Sequence, residues 1–191
     1  MKEIKTGVML FIVLSLLTGI VYPAVVTVLA QSIFPMQAAG SLQDGADGRP
    51  AGSALIGQPF SGPKYFWPRP SATADFPYNP MASGGSNLGP TNKDLLRQVG
   101  DRIRALRETG ISGPIPADMA MTSGSGLDPH IIPRAALLQV PRVARERGLS
   151  EEEVRRIVQG HVEGRQLGFL GYERVNVLRL NIAMDAMPAK K

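Results

Sequence analysis

The chain has 191 residues, with 21 Lys and Arg against 16 Asp and Glu for a net charge of +5, and no cysteine. Without thiols there are no disulfides and no thiolate metal sites. Basic and acidic residues interleave from Asp101 to Glu108 and from Glu151 to Arg156, a pattern of solvated helix faces that excludes a nucleic-acid-binding stripe.

No charged residue occurs from Thr6 to Gln43, and Val8 to Ala30 is almost wholly apolar. At about 1.5 Å per residue that window reaches roughly 35 Å, enough to cross a hydrocarbon core of about 30 Å. The expectation is a retained transmembrane helix over 7–30. The rival is a cleaved signal peptide, with Lys2 and Lys5 as its charged start and Val28 and Ala30 as small residues before Gln31. Because the apolar run exceeds the usual signal core of about 7–15 residues, the anchor is favoured. Lys2 and Lys5 precede the helix and no basic residue follows until Arg49, so residues 1–6 are expected in the cytoplasm and the C-terminal bulk outside. Ser15, Thr18, Gly19 and Tyr22 share one helical face and offer close approach to a partner helix. Pro23 is expected to kink the helix.

Residues 31–52, rich in small residues, read as a tether, 53–187 as one mixed α+β extracytoplasmic domain, and 188–191 as a tail. The fold class is therefore α+β, with one N-terminal transmembrane helix. Ser53 to Phe60 and Lys64 to Trp67 are short strand candidates broken by prolines. Ser71 to Pro90 is loop, and the aromatics Tyr65, Phe66, Trp67, Phe76 and Tyr78 gather in and before it, where they either pin the loop against the core or, with Tyr65, Phe66, Trp67 and Tyr78, form a candidate partner surface. Thr91 with Asp94 reads as a capping box for a helix with Leu95, Leu96, Val99, Ile103 and Leu106 on one face, stopped at Gly110. Asp118 to Thr122 reads as a strand. Pro133 opens a helix that Pro141 breaks or restarts before Gly148, and Ser150 with Glu153 caps another. Arg174 to Asp185 reads as a strand whose apolar phase changes midway.

Two glycine-rich loops carry the polar groups. Ser83, Gly84, Gly85, Ser86 and Asn87 run toward a capped helix, an arrangement able to cradle phosphate. However, neither phosphate-binding glycine spacing is present. Ser123, Ser125, Asp128 and His130 can be drawn as a hydrolytic set, the alternative being an anchored hydrolase using Asp128 and His130. One short loop seldom gives those groups the required geometry. No catalytic residue or metal site is assigned, since the two histidines lack zinc spacing, and His161 reads as a packed side chain.

The strings GSALIGQPF (Gly52 to Phe60), KYFWPRPSAT (Lys64 to Thr73), YNPMASGGSNLGPTN (Tyr78 to Asn92), TSGSGLDPHI (Thr122 to Ile131), QVPRVARERGL (Gln139 to Leu149) and GRQLGFLGYERVNVLRLN (Gly164 to Asn181) resemble the C subunit of the Kdp-type potassium-transporting ATPase. Pro68 stands where that family's aromatic block suggests glycine. The resemblance implies a single-pass protein of the bacterial inner membrane. Its implied partners are a potassium-translocating A subunit, an ATP-hydrolysing P-type B subunit, a small F subunit and the bilayer, with no nucleic acid. K⁺ would be the ion carried by the complex, and no cofactor would be firmly held. The family is described as a catalytic chaperone that raises the ATP affinity of the ATPase subunit, which makes Ser83 to Asn87 the candidate for any direct nucleotide contact. This chain itself lacks the Asp-Lys-Thr-Gly phosphorylation motif.

Overall fold

A computed structural model describes residues 1–187; the expected tail at 188–191 lies outside the described residues. The chain divides into two compact units, Met1–Leu42 and Gln43–Lys191.

The first unit is helical. α1 (Lys2–Leu16) passes into one π-helical turn (Leu17–Val21) and then α2 (Tyr22–Ile33), followed by the short α3 (Pro35–Ala38). The whole run from Lys2 to Ile33 is 32 residues and is long and apolar enough to cross a membrane. It begins earlier and ends later than the expected 7–30. Pro23 acts through the wide turn immediately before it: a residue without an amide N–H cannot complete the regular ladder, and the helix accommodates this by π-type bonding.

Next in the chain come β1 (Leu42–Asp44) and β2 (Pro50–Ser53), which pair as a two-stranded ribbon, so the stretch read as tether contains ordered pairing. Five helices follow: α4 (Lys93–Glu108), α5 (Ala117–Ala120), α6 (Pro133–Arg147), α7 (Glu151–Gly160) and α8 (Val177–Asp185). α6 and α8 pack on a small antiparallel sheet in the order β3 (His130–Ile131), β5 (Arg174–Asn176), β4 (Val162–Glu163). Ile131 and Val162 both pair with Val175, which is completely buried. Around it pack Phe66, Val140, Val143, Val158 and Leu180. The α+β class and the N-terminal apolar helix are as the sequence indicates.

Several elements differ. Asp118 to Thr122 is not a strand: Pro116 starts the one-turn helix α5, and its Asp118 Oδ2 accepts the Ile132 amide at 2.8 Å. The strand expected over Arg174 to Asp185 ends at Asn176, whose side chain accepts the Arg179 amide at 3.1 Å and caps α8. The apolar phase change is this strand-to-helix switch, because Val177, Leu180, Asn181 and Met184 follow a helical period inward. α6 runs unbroken through Pro141 and stops at left-handed Gly148, φ 65°. Asn92, not Thr91, caps α4 by accepting the Asp94 amide at 2.8 Å. The Ser150–Glu153 capping box is formed in both directions. His161 sits half-buried at the end of α7, its Nδ1 2.8 Å from Ile157 O.

Neither candidate strand between Ser53 and Trp67 becomes one. Their backbone groups find other partners, described next.

Candidate functional site

The aromatic segment after Pro63 crosses the inside of the domain with no neighbouring strand. Helix side chains bond it instead. Asn181 of α8 accepts the Phe66 amide at 2.8 Å and donates to Phe66 O at 3.0 Å. Gln139 of α6 does the same for Trp67, accepting at 2.7 Å and donating at 3.1 Å. Arg142 donates to Tyr65 O at 3.0 Å and also to Pro63 O, and Arg147 Nε donates to Lys64 O at 2.7 Å. All five consecutive carbonyls from Pro63 to Trp67 thus accept from α6 or α8 side chains. Buried backbone groups require partners, and here primary amides and guanidinium groups stand in for a β-ladder.

Arg142 is buried and also lies over the Trp67 ring at 4.1 Å. Burial lowers its pKa to about 10, leaving the guanidinium charged at neutral pH. Arg147 stacks 5.2 Å from the Tyr65 ring and pairs with Asp185 at 2.8 Å. Of the aromatic set read as a partner surface, Phe66 and Tyr78 point into the interior, while Tyr65 and Trp67 keep partial exposure. Ser15, Thr18, Gly19 and Tyr22 are exposed on the apolar helix, where the Thr18 hydroxyl donates to Leu14 O at 2.8 Å.

The two glycine-rich loops are brought together. Ser83 Oγ and the Gly84 amide both donate to Ser125 O, at 3.1 and 2.9 Å. Gly126 has φ 69°, and a Cβ there would stand 2.8 Å from Gly84 O and 2.6 Å from Thr73 Cγ2. The Gly84 amide of the candidate phosphate cradle is therefore turned toward the other loop. Gly126→Ala is expected to destabilise the domain by at least about 1–2 kcal/mol from backbone conformation alone. Gly124→Ala, with nothing within 4 Å of the added carbon, should stay within about 0.5 kcal/mol of the unmodified chain. Paired thermal melts of the two variants check this.

Asp128 and His130 lie side by side, and their carboxylate and ring face other charges. Asp128 pairs with Arg69 at 3.0 Å and accepts the His130 amide at 3.0 Å, with His130 Nδ1 at 3.5 Å. Burial raises the Asp128 pKa, but hydrogen bonds from His130 and the charge and hydrogen bond of Arg69 outweigh it and hold the carboxyl below its usual range. Beyond His130 stands Glu163, 4.0 Å from Nε2 and paired with Arg174 and Arg179 at 3.0 and 3.2 Å. Among the described residues no serine or threonine hydroxyl bonds to the His130 ring. This arrangement suits an ion-pair girdle joining β3, β4 and β5.

The pH consequence follows from the direction of the Asp128 shift. A carboxyl with a depressed folded pKa contributes stability above its unfolded value of about 3.9 and loses it as pH falls through the folded value. Asp128→Asn is expected to cost about 1–3 kcal/mol at neutral pH and to flatten the stability profile below about pH 4. Melting the two proteins from pH 7 to pH 3 checks both.

Beside this girdle a cleft of about 360 Å³ opens between the Pro59–Ser71 segment and α4, lined by Phe60, Trp67, Tyr78, Arg102 and Met119 among others. The Tyr78 hydroxyl donates to Arg69 O. Burial first, then the nearby Asp128 charge, pushes its phenol above the usual range.

Sequence reasoning missed the clamp residues Gln139, Arg142, Arg147 and Asn181. The available signal was a polar side chain inside an apolar helical face, as at Gln139 with Ala135, Ala136 and Val143 three and four residues away. Such a residue must have a buried partner.

One long apolar helix in the same chain as a small α+β domain, whose polar groups are clamped or ion-paired, defines a class of single-helix α+β proteins. The chain belongs to the KdpC family, described as K+-transporting ATPase, c chain, whose profile matches residues 4–186. Similar proteins include the potassium-transporting ATPase KdpC subunit of Geotalea uraniireducens, 60% identical over 98% of this chain and 99% of that protein. The Geobacter sulfurreducens protein of the same name is 59% identical over 98% and 99%. That of Burkholderia ambifaria is 55% identical over 97% of each.

Proposed function

We propose that this chain is a non-catalytic accessory subunit of an ATP-driven potassium uptake complex. In this reading residues 7–30 of the apolar helix are a retained single span with its N-terminus in the cytoplasm, and the α+β domain lies outside the bacterial inner membrane. Its role is to assemble and stabilise the potassium-translocating A subunit, the ATP-hydrolysing B subunit and the small F subunit. The observation that carries this is the family match across 4–186, which includes both the apolar helix and the whole folded domain.

Orientation rests on Lys2 and Lys5 before the span and the lack of basic residues after it until Arg49. The raised ATP affinity ascribed to the family is then exerted through the ATPase subunit and not by a pocket at Ser83–Asn87. The Gly84 amide bonded to Ser125 O supports this, and within the proposed topology ATP lies on the opposite side of the membrane.

Deleting the chain from cells that carry the other subunits should abolish K⁺-stimulated ATPase activity and co-purification of those subunits, and restoring it should recover both. Full activity without the chain would refute the reading. Topology has its own test, because the protein has no native cysteine. A Met81→Cys thiol, at a 95% exposed position, should react with impermeant maleimide once the outer barrier is opened and the inner membrane is left intact.

A further inference from the structure

The strands β4 and β5 are joined by a projecting turn, residues 164–173, that presents apolar side chains to solvent. Leu167 is 83% exposed and Phe169 68%, with Leu170 and Tyr172 also exposed. Soluble surfaces scatter such residues singly, and a cluster marks an interaction site. The turn is held in one shape: Gln166 and Leu170 exchange two backbone hydrogen bonds at 3.0 and 2.9 Å, and the Gly168 amide donates to Arg165 O at 3.2 Å. Leu167 adopts φ 53°, a left-handed conformation that costs a non-glycine residue about 1–2 kcal/mol. Gly168 and Gly171 supply the neighbouring left-handed positions without that cost. The fold thus holds a strained backbone whose visible result is an outward leucine beside an outward phenylalanine. Its base is fixed by the Glu163 ion pairs with Arg174 and Arg179.

We propose that this turn is a preformed plug, with Leu167 and Phe169 seating in an uncharged apolar hollow on another subunit of the same potassium-transporting ATPase. The proposal rests on the reading of the chain as a subunit of that complex. Charge selects a protein over a lipid surface. Gln166 to Tyr172 carries no charge and is flanked by one base, Arg165, and one acid, Glu173. Turns that dock on anionic bilayers draw affinity from clustered Lys and Arg, which these flanks lack. Rigid apolar anchors in a desolvated hollow are how protein interfaces concentrate their binding energy.

The test uses the full chain expressed with the other subunits. Leu167→Asp combined with Phe169→Asp should reduce their co-purification at least tenfold, while the thermal transition of the variant chain stays where it was, because both side chains already face water. Leu55→Asp, at another exposed apolar position (63%), should leave co-purification unchanged. A photoreactive phenylalanine analogue at position 169 should crosslink to an identified subunit of the ATPase. Normal co-purification of the double variant, or adducts only with lipid, overturns the plug and leaves the subunit reading standing. Failure of the unmodified chain to co-purify any ATPase subunit overturns that reading instead.

Discussion

Asn181→Leu is expected to lower the unfolding free energy of the full-length chain in detergent by about 2–6 kcal/mol, since it strands two buried backbone groups at about 1–3 kcal/mol each. The size of the effect comes from the double engagement of Phe66, whose amide and carbonyl are both bonded to one side chain. Leucine keeps the volume and removes both partners. Asn181→Asp keeps the acceptor for the Phe66 amide but turns an oxygen toward the Phe66 carbonyl, so it should not rescue. Trp67 is the only tryptophan and sits next in the clamped segment, so its emission in a denaturant titration reports the loss directly. An Asn181→Leu chain as stable as the unmodified protein would mean that these bonds have no net value.

Phe66→Ala should cost about 3–5 kcal/mol, the range for deleting a fully buried aromatic ring. The side chain is completely enclosed, with Leu180 and Val140 in the same core. Phe66→Leu preserves most of the contact and should recover more than half of the loss. The neighbouring Tyr65→Ala gives the contrast: its ring is partly exposed and stacked with Arg147 and Lys64 at 5.2 and 5.0 Å, so the expected loss is about 1 kcal/mol. Equal melting-point shifts for the two alanine variants would contradict the inward orientation of Phe66.

Much of the helical framework was legible because its signals are local. The apolar run announces the first helix, Ser150 with Glu153 announces α7, and left-handed Gly148 ends α6 as its position suggests. The failures share a physical cause. Between Arg174 and Asp185 the apolar spacing changes from a strand period to a helix period, and only the Asn176 cap marks the switch. Local spacing places Asp118 in a strand, yet its carboxylate serves the Ile132 amide 14 residues away.

Sequence alone left two uses of the aromatic cluster open. Aromatic clustering marks Tyr65 to Trp67 as special, but periodicity cannot tell a ring that meets a partner from one that fills a core. The partners that decide it, Gln139 and Asn181, lie 72 and 115 residues away. The loops at Ser83 and Ser125 are likewise distant in sequence, so their mutual bonding could not be read from either alone. The apolar turn at Leu167 was seen only as part of a family string, since exposure is a property of the folded chain.

The clamp also sets an order of events during biogenesis. Residues 63–67 have no strand to pair with, and their acceptor and donor groups wait for side chains as far downstream as Asn181. Synthesis must therefore reach Asn181 before the Phe66 amide and carbonyl can meet their partners. The aromatic stretch is thus completed by contacts that come last in the order of synthesis.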